Sequence, residues 1–476
     1  MNNPNQIAMH QSLHEPKLAF HPDRAADSDI HPLRGLINFG PHSTSLVLDP
    51  IRVATVAPAG NSNDLRAFTD RLEAKYSPKE RSDYLPEWPG FHSVFGVYVR
   101  EASHYCHIKL SSEVETKVRG SSTPHLVLAE ELVRAINRLQ AHRSEFDLVV
   151  VYIPRRWAYA YTGAPDEDFD LHDHLKATTA AMGLPIQMVR EDGALSYRCQ
   201  ASVMWRFGLA LYVKAGGIPW KLAATDPEMA YIGISYAVRT TDSDKPRFVT
   251  CCSQVFDAEG AGLEFVAYDA HDVEVQRDNP FLSRVDMFRV MTRSIDLYRR
   301  RHAGQSPSRV MVHKNTEFKR NEIEGCMEAF HLCEAVDLVQ IVEDVGWRGV
   351  RIDRPLGKAK RGNPAAFPVS RGTVLPLGPR DALLWTHGDV RDISEKGSYF
   401  KGSRSTPHPL RLVRHAGHGS WDDTARAVLG LSKMNWNNDS VYDSLPVTMS
   451  YAKVLARVFK RMPSLRRRPY QFRFFM

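Results

Sequence analysis

Apolar β-branched runs and amphipathic stretches alternate along most of this 476-residue chain. In the first half, "DPIRVATVAP" (49–58) and "DLVVVYIP" (147–154) are short, nearly continuous apolar runs of the kind buried in a parallel sheet. "FHSVFGVYV" (91–99) reads as a further strand. "NSNDLRAFTDRLEAKY" (61–76), with Ser and Asn as capping candidates, and "PHLVLAEELVRAINRLQAHRSEF" (124–146) carry their apolar residues at helical spacing. A helix near 170–182, the strand "PIQMVRE" and a helix near 199–215 follow, so the class is α/β.

The second half opens with three strand-like runs, "YIGISYAV" (231–238), "RFVTCCSQVF" (247–256) and "GLEFVAYDA" (262–270). A helix (about 280–303), the strand "SRVMVHK" (308–314), a helix (319–331) and the strand "VDLVQIVED" come next. Two hairpin-like runs around 364–387 and two C-terminal helices close the chain. Three antiparallel strands followed by alternating helices and strands is the order of an RNase H-like sheet. The break between halves falls near "IPWKLAATDPEM" (218–229). The organisation expected is a disordered leader (1–28), a first domain with an N-terminal extension (29–225) and a second domain (226–476).

The length suits two or three domains. No run approaches the roughly 20 apolar residues of a membrane helix, and the N-terminus lacks the apolar core of a secretory signal. Cys106, Cys199, Cys251, Cys252, Cys326 and Cys333 show no disulfide framework, and free thiols in a reducing cytoplasm are the simpler reading. His331 between Cys326 and Cys333 matches no common zinc spacing. The net charge of +7 suits a polyanionic partner. "KAKRGNPAAFPVSRG" (358–372) and "KRMPSLRRRPYQFRFFM" (460–476) mix basic side chains, for phosphates, with aromatics, for bases or packing.

Four residues raise a sharper question. His172 and Lys176 are four apart and share a helix face. Gln187 opens a strand, and Lys214 ends a helix just before a Gly-Gly pair. Donors of this kind can converge on one phosphate, although His172 fits a plain surface histidine beside Asp173 equally well. "HDH" (172–174) reads as a metal fragment without a third ligand cluster. "GHGSWDD" (417–423) lacks the strand–elbow–helix context of a nucleophilic serine, and Ser420 is better placed as an N-cap.

"LHDHLK", "PIQMVRE" and above all "YVKAGGIPWKL", leading into "YIGISY", resemble the MID–PIWI portion of Argonaute proteins, especially the short prokaryotic ones without N and PAZ domains. "HPLRGLINFGP" and "ALLWTHG" fit the same family, over roughly residues 30–476. The resemblance implies a Rossmann-like MID domain followed by an RNase H-like PIWI domain. It implies that His172, Lys176, Gln187 and Lys214 anchor a guide's 5′ phosphate. A structural Mg²⁺ would be held there by Gln187 and by a C-terminal carboxylate on Met476.

In cleaving members the first metal ligand stands in Gly-x-Asp, where this chain has Gly233-Ile234-Ser235. The next two places fall on Lys314 and Lys453, and the mobile glutamate has no clear counterpart, Glu264 being one unremarkable candidate. A serine and two lysines cannot hold a pair of divalent cations, so the PIWI domain is expected to be inactive, its lysines free to pair with a bound duplex. The implied partners are a small guide RNA, complementary single-stranded DNA and a separate APAZ-domain effector (sirtuin-like, TIR or nuclease) acting in defence against plasmids or phage. The alternatives are an active guide-dependent DNA endonuclease and a guide-independent RNase H-like scaffold.

Overall fold

A computed structural model describes residues 9–165, 167–223, 226, 228–240, 246–257, 262–270, 272–276, 279–353, 362–365, 367–393, 398–400, 406–462, 465 and 469–476. Parts of the two basic–aromatic segments, 358–361, 366, 463–464 and 466–468, lie outside these. Among the described residues no helix is long and apolar enough to cross a membrane.

The first domain is built on β1 (Ile51–Pro58), β2 (Val99–Glu101), β3 (His107–Leu110), helix α1 (Pro124–Arg138), β4 (Leu148–Ile153), α2 (Leu171–Ala181), β5 (Ile186–Arg190) and α3 (Gln200–Lys214). Its strands run parallel in the order β2–β1–β4–β5, with β3 also pairing β1. Every residue of β4 is buried, as its unbroken apolar run requires.

The second domain follows with β6 (Met229–Thr240), β7 (Pro246–Phe256), β8 (Gly262–Asp269), α4 (Arg284–Arg301), β9 (Arg309–Lys314), α5 (Arg320–Ala329), β10 (Ala335–Val342), β11 (Thr373–Pro376), β12 (Asp381–Leu384), β13 (Leu410–Ala416), α6 (Trp421–Leu431) and α7 (Val447–Arg461). The strands β8–β7–β6–β9–β10 lie in that order, β6 pairing antiparallel with β7 and parallel with β9. This is the RNase H-like arrangement, and β13, β12 and β11 extend it beyond β10. Helices α4 and α5 cover one face, while α7 crosses the other. A Cβ on Gly233 of β6 would stand 1.9 Å from the carbonyl oxygen of Thr448, so only glycine lets α7 lie this close.

Two expectations need correction. Residues 91–99 are not one strand: Phe91–Phe95 form a helical turn, and β2 begins only at Val99. Phe91, Val94 and Phe95 are spaced i, i+3, i+4 and all buried, and Gly96 ends the turn at φ +72°. The described part of the expected leader is also not disordered. Gln11–Ser12 pair antiparallel with β11, and Leu18–Ala19 pair with both Ser28–Asp29 and Lys221–Leu222. Leu13, Leu18 and Phe20 are buried.

The leader is also held by charge. Glu15 receives Lys433 Nζ at 2.7 Å and Arg371 Nε at 3.0 Å, both cations having fully buried side chains. Burial alone would raise the Glu15 carboxyl, but Arg371 and Lys433 outweigh it and hold it below its ordinary value. Arg371 also donates to Leu429 O and Ser432 Oγ and lies over the Tyr442 ring. Glu15→Ala would leave two uncompensated buried cations, a loss of about 3–5 kcal/mol. A clearly lower denaturation midpoint is expected, and an unchanged one would mean the strap contributes nothing.

Candidate functional site

Helix α2 starts at Asp170, whose side chain accepts the backbone N–H of Asp173 as an N-cap. One turn later Lys176 points inward, 5% exposed, and donates to the carbonyl oxygen of Phe475 at 3.3 Å. Lys214, the last residue of α3, is fully buried. Its ammonium donates to Gln187 Oε1 and, at 3.0 Å, to the main-chain oxygen of Met476. Gln187 lies on the adjacent strand β5.

The turn after Lys214 explains the run "KAGGIPW". Gly216 sits at φ +109°, and a Cβ on Gly217 would meet the Tyr212 ring at 2.2 Å. Arg473 Nη1 donates to Lys214 O at 3.4 Å, tying the turn to the C-terminal segment. That segment is drawn in by aromatic packing. Phe472 stacks on Tyr451, and Phe475 meets Phe265 and Tyr470 edge-on. The second domain thus delivers two main-chain oxygens to two lysines of the first.

The electrostatics follow from burial. Desolvation pushes the Lys176 ammonium down to about 7, with Asp173 opposing and Arg457 reinforcing the shift. Lys214 is held well below its ordinary value, by burial first and then by the neighbouring Lys176. His172 stays at the rim, its side chain 49% exposed, with Nδ1 3.5 Å from Asp173 Oδ1. Burial and Lys176 hold its imidazole below the usual value. Lys176, Gln187, Lys214 and Met476 therefore meet in one cluster, with His172 at its edge. Cavities of about 410 Å³ beside His172 and about 390 Å³ beside Gln187 flank it.

Next to the cluster the two domains are joined by charge. Asp173, 2% exposed, accepts Arg457 Nε at 2.8 Å and Nη2 at 3.2 Å, and Arg461 Nη1 at 2.5 Å. Burial would raise its carboxyl, but the hydrogen bond with His172 and these two guanidinium groups outweigh it and hold the group far below the ordinary range. Asp168 pairs with Lys460 and Arg461. His172 and Asp173 of the "HDH" fragment do gain a third potential ligand in Asp170, since one oxygen or nitrogen atom of each lies within 4.8 Å of the others. With both Asp173 oxygens taken by guanidinium groups, the cluster serves as an interdomain ion pair. Arg457 and Arg461 were missed from sequence, although their i, i+4 spacing on one helix face marks them as a pair.

The second centre is poorer in ligands. Side chains alternate along β6, so Ser235 shares the α7 face with Gly233. On β9 the residue on that face is His313, which is buried and bonded to Thr448 Oγ1 at 2.8 Å. Lys314 is paired in register with Ile234 and points to the opposite face. There it is fully buried, 2.7 Å from both oxygens of Glu322 and ringed by Tyr236, Phe281 and Phe318. The expectation that Lys314 shares a pocket with Ser235, free to meet a duplex, is therefore corrected: its charge is spent inside the α5 face. Lys453 does lie on α7, paired with Glu343 just beyond β10. Glu264 is on the outer strand β8, 3.4 Å from Arg301.

No family model matches the sequence, and no curated protein matches it. Solved structures do. Clostridium butyricum Argonaute bound to a guide DNA and a 19-mer target DNA superimposes with a TM-score of 0.63 at 14% identity, over 95% of this chain and 53% of that one. Aa-Ago with externally bound siRNA gives 0.61 at 15% identity, over 98% and 56%. The fold is that of Argonaute proteins. This chain spans about half the length of either structure, and its two domains correspond to a Rossmann-like MID and an RNase H-like PIWI.

With the Lys176 ammonium pushed down to about 7, any phosphate bound beside it would bind with proton uptake. The charged ammonium prevails below that pH and is lost above it, so affinity for a 5′-phosphorylated oligonucleotide should fall between pH 7 and 8.5. Lys176→Met should bind more weakly with that fall flattened, which titrations at several pH values would reveal. An unchanged pH profile in the variant would assign the dependence elsewhere.

Proposed function

We propose that the chain anchors a 5′-phosphorylated small guide in its MID domain and uses it to pair with a complementary strand. The observation that carries this reading is the convergence of Lys176, Gln187 and Lys214 with main-chain oxygens of the C-terminal segment. Two buried ammonium groups side by side are costly without an anion, and a phosphate offers three acceptor oxygens. The structural neighbours with guide and target DNA, or with siRNA, support the class of ligand. By the same reading, base pairing supplies the sequence and the protein holds the backbone.

A Mg²⁺ fits the donor set. Gln187 Oε1 and Met476 O already converge on one cation, the Lys214 ammonium, and oxygen donors suit a hard metal. Gln187 and Met476 would hold it, and it would supply positive charge to balance a bound phosphate. His172 would lie alongside the terminal nucleotide, where its ring is accessible.

The PIWI centre is read as a holder of strands rather than a cutter. Among the described residues its α7 face offers Ser235, His313 and Lys453, with Glu343 engaged by Lys453. Two-metal hydrolysis needs several carboxylates to fix its cations. Signalling then falls to a separate APAZ-domain effector, sirtuin-like, TIR or nuclease, in defence against plasmids or phage. The guide is read as RNA and the target as single-stranded DNA.

Lys176→Ala or Lys214→Ala should each weaken guide retention about 10- to 150-fold, the equivalent of one charge-assisted hydrogen bond of roughly 1.5–3 kcal/mol. End-labelling of nucleic acid co-purified with the chain, with and without phosphatase, measures this. Short RNAs that label only after phosphatase are expected from the parent, and undiminished recovery from the variants would refute the anchor. Ser235→Asp should leave a labelled complementary DNA uncut with Mn²⁺, since one added carboxylate cannot complete a metal pair. Shortened products from that variant would restore the endonuclease reading.

A further inference from the structure

The loop that follows β10 carries a feature the anchor does not use. Trp347 is 50% exposed, whereas the chain's other tryptophans lie wholly or partly within the protein. An indole left half in water calls for an explanation, because this residue type is seldom so exposed.

Looseness of the loop does not explain it. Arg348 Nη1 donates back to Val345 O at 3.2 Å and to Trp347 O at 2.8 Å. Gly349 is pressed against Trp385 and Val369, where a Cβ would stand 3.1 to 3.3 Å from their atoms. Arg351 Nη1 reaches the buried Asp389 at 3.0 Å. The chain just after Trp347 is therefore held to the rest of the domain at Gly349 and Arg351, and Arg348 braces the turn itself, while the ring stays out.

Its place in the fold narrows the partner. Strands β6, β9 and β10 run parallel, and the loop leaves their carboxyl end, where open α/β sheets bind ligands. Four residues before Trp347, Glu343 is paired with Lys453 of α7, the helix that crosses Ser235's face of β6. The loop thus springs from the rim of the metal-poor PIWI centre. An accessible indole beside the exposed Arg348 combines a flat π-face with positive charge, the pairing that holds unpaired bases.

We propose that Trp347 is a stacking platform for a base of the bound nucleic acid where the strands pass the PIWI centre. This rests on the guided-binding reading. A protein surface is the competing occupant, but it would not respond to the identity or pairing of a base.

The test uses the full chain loaded with a 5′-phosphorylated guide, with 2-aminopurine placed at successive positions of guide or target. At one position the parent should quench the fluorophore. Trp347→Ala should relieve that quenching and weaken the target complex about 5- to 150-fold. Trp347→Phe should keep most of both, and all three proteins should retain equal amounts of guide. Equal quenching and target affinity in parent and Trp347→Ala, with guide retained, would overturn the stacking proposal alone and leave the indole to a protein partner. Failure of the parent to retain guide would overturn the guided-binding reading and this proposal with it.

Discussion

The site depends on the desolvation of two neighbouring ammonium groups. Lys176 and Lys214 belong to the first domain, yet the oxygens from main chain that satisfy them come from Phe475 and Met476 at the far end of the second. Neither lysine is tolerable in that position without an acceptor, and the C-terminal segment supplies main-chain oxygens. This arrangement makes the cluster a hydrogen-bonded seam between domains. The depressed ammonium pKa values are the electrostatic trace of that compromise.

Further contacts hold the seam in register. Asp173, in the first turn of α2, takes both Arg457 and Arg461 from α7. Because α7 also rests on Gly233 of β6, the helix that bears Lys176 is linked through one element to the centre of the PIWI sheet. The N-terminal strap adds an independent tie. It covers the β11 edge of the large sheet and neutralises Arg371 and Lys433 through Glu15. Tyr470 pairs with Phe265 on the opposite edge strand. These short pairings occupy some of the edge backbone donors and acceptors that invite strand addition from other molecules.

The second-domain sheet shows how neighbouring residues of one strand are sent to separate environments. Lys314 does not stand in for a metal by projecting its charge into the pocket. It turns to the other face, where Glu322 and three aromatic rings stabilise it at the head of α5. Among the described residues, Ser235, the buried His313 bonded to Thr448 and Lys453 matched to Glu343 lie on the α7 side.

Periodicity alone determined most of the architecture, since apolar runs of five to eight residues and amphipathic helices leave few ways to bury their faces. It also placed Lys176 at the proper turn of α2 and Lys214 at the end of α3. It misjudged residues 91–99, where an aromatic and β-branched run reads as strand although Phe91, Val94 and Phe95 carry helical spacing, and it overlooked β13, where Leu410 and Leu412 alternate inward. The leader looked featureless because its hold on the fold comes from one buried carboxylate and a few backbone pairings, neither of which has a periodic signature. Only tertiary structure decided that Asp173 belongs to two arginines 284 and 288 residues away, and that Lys314 faces away from Ser235. Such partners are set by which faces the folded chain brings together, and a linear sequence does not carry that distance.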